Sequence, residues 1–293
     1  MIKIIAEAGI NHNGFLHQAL QLVDAAQAAG ANVVKFQIYH TDRLVRDVPN
    51  RELLKSCELP PDEHRVIADY CKAVGIEWMA SCFDTEAVDV ACDLGAKTIK
   101  IGSGEIVHHE LLRQVAARGK SLMLSTGAST MHEVHVALDA YGYAWGEDGL
   151  ELLHCVSAYP ASLEDCNLRA IAALRGQFGC PVGFSDHTIG FDAAVAAVAA
   201  GAEIIEKHLM FGSGCPDEAV SLSPHEFAGY VNAIRRAEAM MGDGVKRPTP
   251  AELKMRDAIR YRWHHALPTD STARREASQT GQGHPDGGTA CPR

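Results

Sequence analysis

The chain has 293 residues, 47% of them hydrophobic and 22% charged, which suits one large globular domain or two small ones. Its formal charge of −10 gives no basic footprint for nucleic acid. No apolar run approaches membrane-spanning length and "MIKIIAEAGINHNG" lacks the pattern of a signal peptide, so a protein with no membrane partner is expected.

Apolar strand patterns and helical patterns alternate from the first residues. "KIIAEAG" (3–9) is apolar and β-prone, and "HQALQLVDAAQAAGA" carries apolar residues at helical spacing. "NVVKFQI" (32–38) is a second strand, and "PDEHRVIADYCKAVG" (61–75) is a helix by its Pro and acidic start and its Gly end. The connection between them, from Tyr39 to Pro60, is long enough to expect a lid or binding loop. "IEWMAS", "KTIKIGS", "SLMLSTG", "LELLHCVSAYP", "CPVGFSD" and "EIIEKHL" read as six further strands, each followed by a helical pattern. Eight strand–helix units fall before residue 243. The strands are apolar on both faces, as buried parallel strands are, so the expected fold is a (β/α)₈ TIM barrel over 1–243. A doubly wound open sheet is the alternative. "IGSGEIV" offers only a weak dinucleotide fingerprint, with Val107 where a third glycine would stand. Residues 244–265 read as a C-terminal helical extension, and 266–293, almost without apolar periodicity, as a disordered tail. The nine cysteines include no C-x-x-C pair and read as reduced core residues of a cytoplasmic protein.

In such a barrel the strand C-termini share one face, where active sites sit. Polar residues gather there: Glu7, Lys35 and Gln37, Ser81, Lys100, Ser103 and Glu105, Ser125, Ser157 and Tyr159, Ser185 to His187, and Glu206 to His208. Each serine alone suits a helix cap, but several strand ends with lysines can hold a phosphate. His187 and His208 end neighbouring strands, and with Glu7 or Asp186 nearby they suit Mn²⁺, Fe²⁺, Co²⁺ or Zn²⁺. A phosphate cradle beside a metal permits addition of a phosphorylated enol to a sugar carbonyl, and equally a metal-assisted hydrolysis.

"IAEAGINHNG", "GANVVKFQ", "IKIGSGE", "LSTGAS", "LLHCVSAYP", "GFSDHTIG" and "EKHL", in that order, resemble the catalytic barrel of the N-acetylneuraminate (sialic acid) synthase family. The resemblance implies joining of phosphoenolpyruvate to an N-acetylated hexose, usually N-acetylmannosamine, with a divalent metal, usually Mn²⁺, and loss of phosphate by C–O cleavage. His187 and His208 match the metal ligands. Lys100, Ser103, Ser125 and Ser185 match phosphoenolpyruvate contacts, with Ser81 and Ser157 where relatives carry Thr and Asn. Lys35, Gln37, Glu105, Tyr159 and Asp217 match the sugar side, and Glu7, Glu105 and Lys35 are the catalytic candidates, the two glutamates for proton transfer. The family usually continues into an antifreeze-like domain in a swapped dimer. Residues 266–293 resemble no such domain, so a barrel without it is expected, as is a homodimer. "MFGSGCPDEA" departs from the usual context after the last strand, and relatives making legionaminic or pseudaminic acid use the same barrel. Two other readings stand beside this one: a Schiff-base aldolase using Lys35, Lys100 or Lys207, and a non-catalytic barrel that binds sugar or phosphate.

Overall fold

The computed structural model describes residues 1–44, 50–144, 146 and 148–264. The described residues fall into two units, one over Met1–Gly242 and one beginning at Asp243. The first is a closed barrel of eight parallel strands in chain order, sealed by pairing of the first with the last. This is the (β/α)₈ barrel expected from the sequence, and the open-sheet alternative falls away.

The strands are β1 (Lys3–Gly9), β2 (Val33–Ile38), β3 (Glu77–Cys82) and β4 (Thr98–Ile101), then β5 (Ser121–Ser125), β6 (Leu150–Cys155), β7 (Val182–Asp186) and β8 (Ile204–His208). Helix α1 (Leu16–Ala28) follows β1; α2 (Arg51–Cys57) and α3 (Pro61–Val74) both follow β2. Then come α4 (Thr85–Asp93), α5 (His109–Ala117), α6 (Met131–Tyr141), α7 (Ala170–Phe178), α8 (Asp192–Ala199) and α9 (Pro224–Met241). Local chemistry sets several boundaries. Pro61 occupies the first turn of α3, and capping boxes start α6 (Thr130 with Glu133) and α9 (Ser223 with Glu226). The Tyr39–Pro60 connection, read as a loop, contains α2, which is short and weakly patterned; residues 45–49 lie outside the described residues.

The pleat of each strand gives two populations. Outward side chains such as Ile4, Val34, Phe36, Ile99 and Leu152 join the layer beneath the helices. Inward side chains Ile5, Val33, Met79, Met123, Leu153 and Ile204 form a separate apolar plug across the barrel. The next inward positions toward the C-terminal end are polar. Register sets Glu7 beside His208 and Lys35, and Ser185 beside Glu206. Gly183 lies at the plug, where an added Cβ would stand 2.4 Å from the Ile204 carbonyl oxygen and 2.7 Å from Leu153.

In the second unit, α10 (Pro250–His264) starts with Glu252 N–H donating to Thr249 Oγ1 at 3.2 Å. The expected disordered tail, 266–293, lies outside the described residues. Among the described residues no helix is long and apolar enough to cross a membrane. The eight described cysteines are free and all but Cys92 are buried.

Two predictions arise from the packing. Gly183→Ala overpacks the plug against backbone and should cost about 1–3 kcal/mol of unfolding free energy in a urea titration. Burial holds both His12 and His64 down to about 4, with their mutual repulsion adding to the effect on His12. The folded chain therefore binds fewer protons than the unfolded chain between the ordinary value of 6.5 and about 4. Their contribution to stability is complete above the upper value and declines as pH falls toward the lower one, by about 1.4 kcal/mol for each unit of displaced pKa. Urea midpoints measured across this range should drop on acidification, and less steeply in His64→Leu.

Candidate active site

A cavity of about 330 Å³ opens at the C-terminal end of the strands. Its wall includes Glu7, Lys35, Gln37, Ser81, Lys100, Ser103, Glu105, Ser125, Ser157, Tyr159, Ser185, His187 and His208. Every site residue inferred from the sequence is among them except Asp217, which stands at the rim with Oδ2 3.2 Å from His208 Nδ1. A larger groove of about 450 Å³ lies alongside, lined in part by Thr130, His154 and Asn167. It shares only Cys155 and Ser157 with the cavity and holds none of the charged cluster, so it is not the chemical centre.

That cluster is two ammonium groups and two carboxylates, all buried. Lys35 Nζ lies 2.7 Å from Glu7 Oε2 and 3.4 Å from Glu206 Oε2, and donates to Ser81 Oγ at 2.8 Å. Lys100 Nζ donates to the two oxygens of Glu206 at 3.2 and 3.3 Å. Ser185 Oγ donates to Glu206 Oε1 at 2.8 Å. Burial works against the charges of Lys35, Lys100 and Glu206. For Lys35 the carboxylates of Glu206 and Glu7 outweigh it and hold the ammonium above its usual pKa. For Glu206, burial is overcome by Lys100 and Lys35, which keep it below the carboxylate range. For Lys100 burial prevails over Glu206, and its pKa falls. Glu105 differs: burial raises its pKa, and Lys100 only partly offsets this, so its carboxyl holds a proton more readily than a free one.

Glu206 belongs to the site although the sequence reading assigned it no role. The signal was the pleat: if His208 faces inward, Glu206, two residues earlier, must do so too. The same rule removes Lys207 and Asp186. Lys207 donates to the Thr188 carbonyl and lies 3.7 Å from Asp186, and Tyr230 on α9 donates to Asp186 Oδ2 at 2.9 Å. Both face the helices, so Asp186 is no partner for the histidines and Lys207 cannot serve as a Schiff-base lysine.

His187 and His208 have ring centroids 5.6 Å apart, and Tyr159 packs 4.2 Å from His187. His187 Nδ1 is 2.8 Å from the Val156 carbonyl oxygen, which can only accept, so that nitrogen carries the proton and Nε2 keeps its lone pair. Ser185 Oγ approaches Nε2 at 3.4 Å, but its proton is committed to Glu206. Burial, with repulsion from His208, lowers the His187 pKa to about 4, so the ring is neutral near neutral pH. Burial would raise Asp217, but His208 holds it down. Among the described residues no group of three or more His, Cys, Asp or Glu side chains is placed to hold an ion. The two imidazoles alone are too few for a closed structural metal site.

Close approach completes the cavity. A Cβ on Gly127 would stand 2.2 Å from Ser157 Oγ, 2.8 Å from Ser103 Oγ and 2.9 Å from Cys155 Sγ, and the Gly127 N–H donates to Ser103 Oγ at 3.0 Å.

The chain belongs to the NeuB family, whose profile matches residues 22–246. It is 40% identical over 277 residues to the N,N'-diacetyllegionaminic acid synthase of Legionella pneumophila, covering 88% of this chain and 78% of that one. It is 30% identical over 276 residues to the human N-acetylneuraminate-9-phosphate synthase, covering 87% and 76%. The crystal structure of the N-acetylneuraminic acid synthetase of Leptospira borgpetersenii in complex with citrate superposes with a TM-score of 0.83 at 33% identity, over 92% of this chain and 93% of that one.

The charge cluster yields a prediction. Glu206→Ala strands the Lys100 ammonium in the barrel and should lower the unfolding free energy by about 3–5 kcal/mol in a urea titration. Adding Lys100→Met to that variant should recover part of the loss.

Proposed function

We propose that this chain condenses phosphoenolpyruvate with an acylated amino hexose, releasing phosphate and forming a nonulosonic acid. The observation that carries the reading is the convergence of Lys35, Lys100, Ser81 and Ser185 beside the paired imidazoles in one cavity. The overall change balances with one water. The enol carbon bonds to the sugar carbonyl carbon, the neighbouring carbon gains hydroxyl from water, and its C–O bond to phosphate breaks. Kinship with the legionaminic acid synthase favours a diacetamido sugar over N-acetylmannosamine.

The chain's own residues supply most of what this needs. Lys35, matched to the sugar side by the resemblance, stands beside Ser81 and Glu206 in the same cluster as Lys100, and the two lysines with Ser81, Ser103, Ser125, Ser157 and Ser185 offer charge and hydroxyl donors to phosphate and carboxylate oxygens. Glu105, with its raised pKa, is suited to deliver a proton to the former carbonyl oxygen, and Glu7 to take one from the attacking water. Gln37, Tyr159 and Asp217 bound the sugar side. His187 and His208 would hold a divalent ion, Mn²⁺ by the family resemblance, which when bound polarises a carbonyl or a water.

One observation favours a second reading: burial depresses the Lys100 pKa, as a Schiff-base lysine requires. Against it, Glu206 neutralises that lysine, and a Schiff-base site has no use for two imidazoles.

A mass-spectrometric product assay tests the proposal. Phosphoenolpyruvate, Mn²⁺ and a panel of acylated amino hexoses should yield a nonulosonic acid and phosphate together, and a chelator should stop both. His187→Ala with His208→Ala should reduce turnover at least about a hundredfold. Full activity in that double variant would overturn the metal role. Borohydride trapping of a pyruvyl adduct on Lys100 would establish the aldolase instead. Binding of phosphoenolpyruvate without turnover of any sugar would mark a non-catalytic barrel.

A further inference from the structure

Asn11, in the "NHNG" segment after β1, is fully buried yet stands outside the cavity wall. A buried amide persists only where its donors and acceptor are matched, and Asn11 is matched entirely by one other segment. Its Nδ2 donates to the Leu209 carbonyl and to Ser221 Oγ, both at 2.9 Å. Its Oδ1 accepts from the Asp217 N–H at 3.1 Å. Leu209 and Ser221 flank the loop that follows β8, and Leu209 pairs there with Leu222 in a single parallel bridge. Asp217 lies inside that loop. Ser221 Oγ passes its own proton to the Asp217 carbonyl at 2.6 Å. Both backbone polar groups of Asp217 are thus tied, one to Asn11 and the other to a hydroxyl that Asn11 itself engages. The tied backbone aims the carboxylate inward, where Oδ2 reaches His208 Nδ1 at 3.2 Å.

We propose that Asn11 is the positioning residue of the sugar side, setting Asp217 by clamping the loop after β8 across the mouth of the barrel. This rests on the reading of Asp217 as a sugar-side residue. Asn11 touches neither the lysines nor the serines that face the anionic substrate, so its effect belongs to one substrate and not the other.

The test is a kinetic cycle on the full chain with Asn11→Ala, Asp217→Ala and the double variant. Asn11→Ala should raise KM for the sugar roughly tenfold while KM for phosphoenolpyruvate moves less than about twofold. The double variant should be no worse than Asp217→Ala alone, because Asn11 acts through that residue. Equal rises in both KM values, or losses that simply multiply, would overturn the proposal. Should Asn11→Ala fail to fold, Ser221→Ala removes two bonds of the same clamp and should show a smaller shift of the same selectivity. A readout free of turnover separates this proposal from the function it rests on: the side-chain ¹⁵N resonances of His208. They should move alike in Asn11→Ala and Asp217→Ala even if no sugar is consumed. Unmoved His208 resonances in Asn11→Ala would sink the positioning role while leaving the condensation reading intact.

Discussion

The site depends on one constraint: two ammonium groups and two carboxylates sealed in a barrel must answer one another, because water cannot. Lys35, Lys100, Glu7 and Glu206 meet that demand as a formally neutral set resting on a plug of Ile, Val, Met and Leu side chains. Desolvating four charges costs more than any one pair returns. The cluster therefore reads as a device for presenting polar groups and not as a source of stability. Neutrality leaves the lysines close together without scattering them, and Ser81 and Ser185 are drawn in as hydrogen-bonding neighbours.

The pleat decides which residues take part. In "SDHT" the alternation sends Ser185 and His187 to the cavity, while Asp186 and Thr188 turn to the helices and to Lys207. One short segment thus builds a reactive face and a structural one. The outer face is no less polar: Asp186 gathers Thr188, Lys207 and Tyr230 into a buried knot that ties β7 to β8 and α9. The inner face stays open because its hydrogen bonds leave lone pairs over, that of His187 Nε2 among them.

Much of this was legible before any coordinates. Eight alternating units favour a closed barrel over an open sheet, and a closed barrel brings its strand ends together, so Lys35, Ser81, Lys100 and His208 could be expected on one rim from their positions in the chain. What escaped has physical reasons. Glu206 was overshadowed by the more reactive-looking lysine and histidine beside it, although spacing of two decides which of the three point inward. The helix Arg51–Cys57 is too short to show a period against the surrounding loop. Asn11 carried no signal because its partners lie about 200 residues away, and only the folded chain reveals a side-chain amide spanning that distance.

Gly127 shows how tightly such a mouth is built. Nothing about the backbone there demands glycine; what demands it is the nearness of Ser103, Cys155 and Ser157. The obstructing atoms are hydroxyls and a thiol of the cavity itself, so a side chain at 127 would have to turn Ser103, Cys155 and Ser157 away from their present positions in the cavity wall. Gly104, on the same rim, has nothing within 4 Å of a would-be Cβ. A side chain at 104 would therefore meet no wall and would take up room in the cavity, whereas one at 127 would collide with the wall itself.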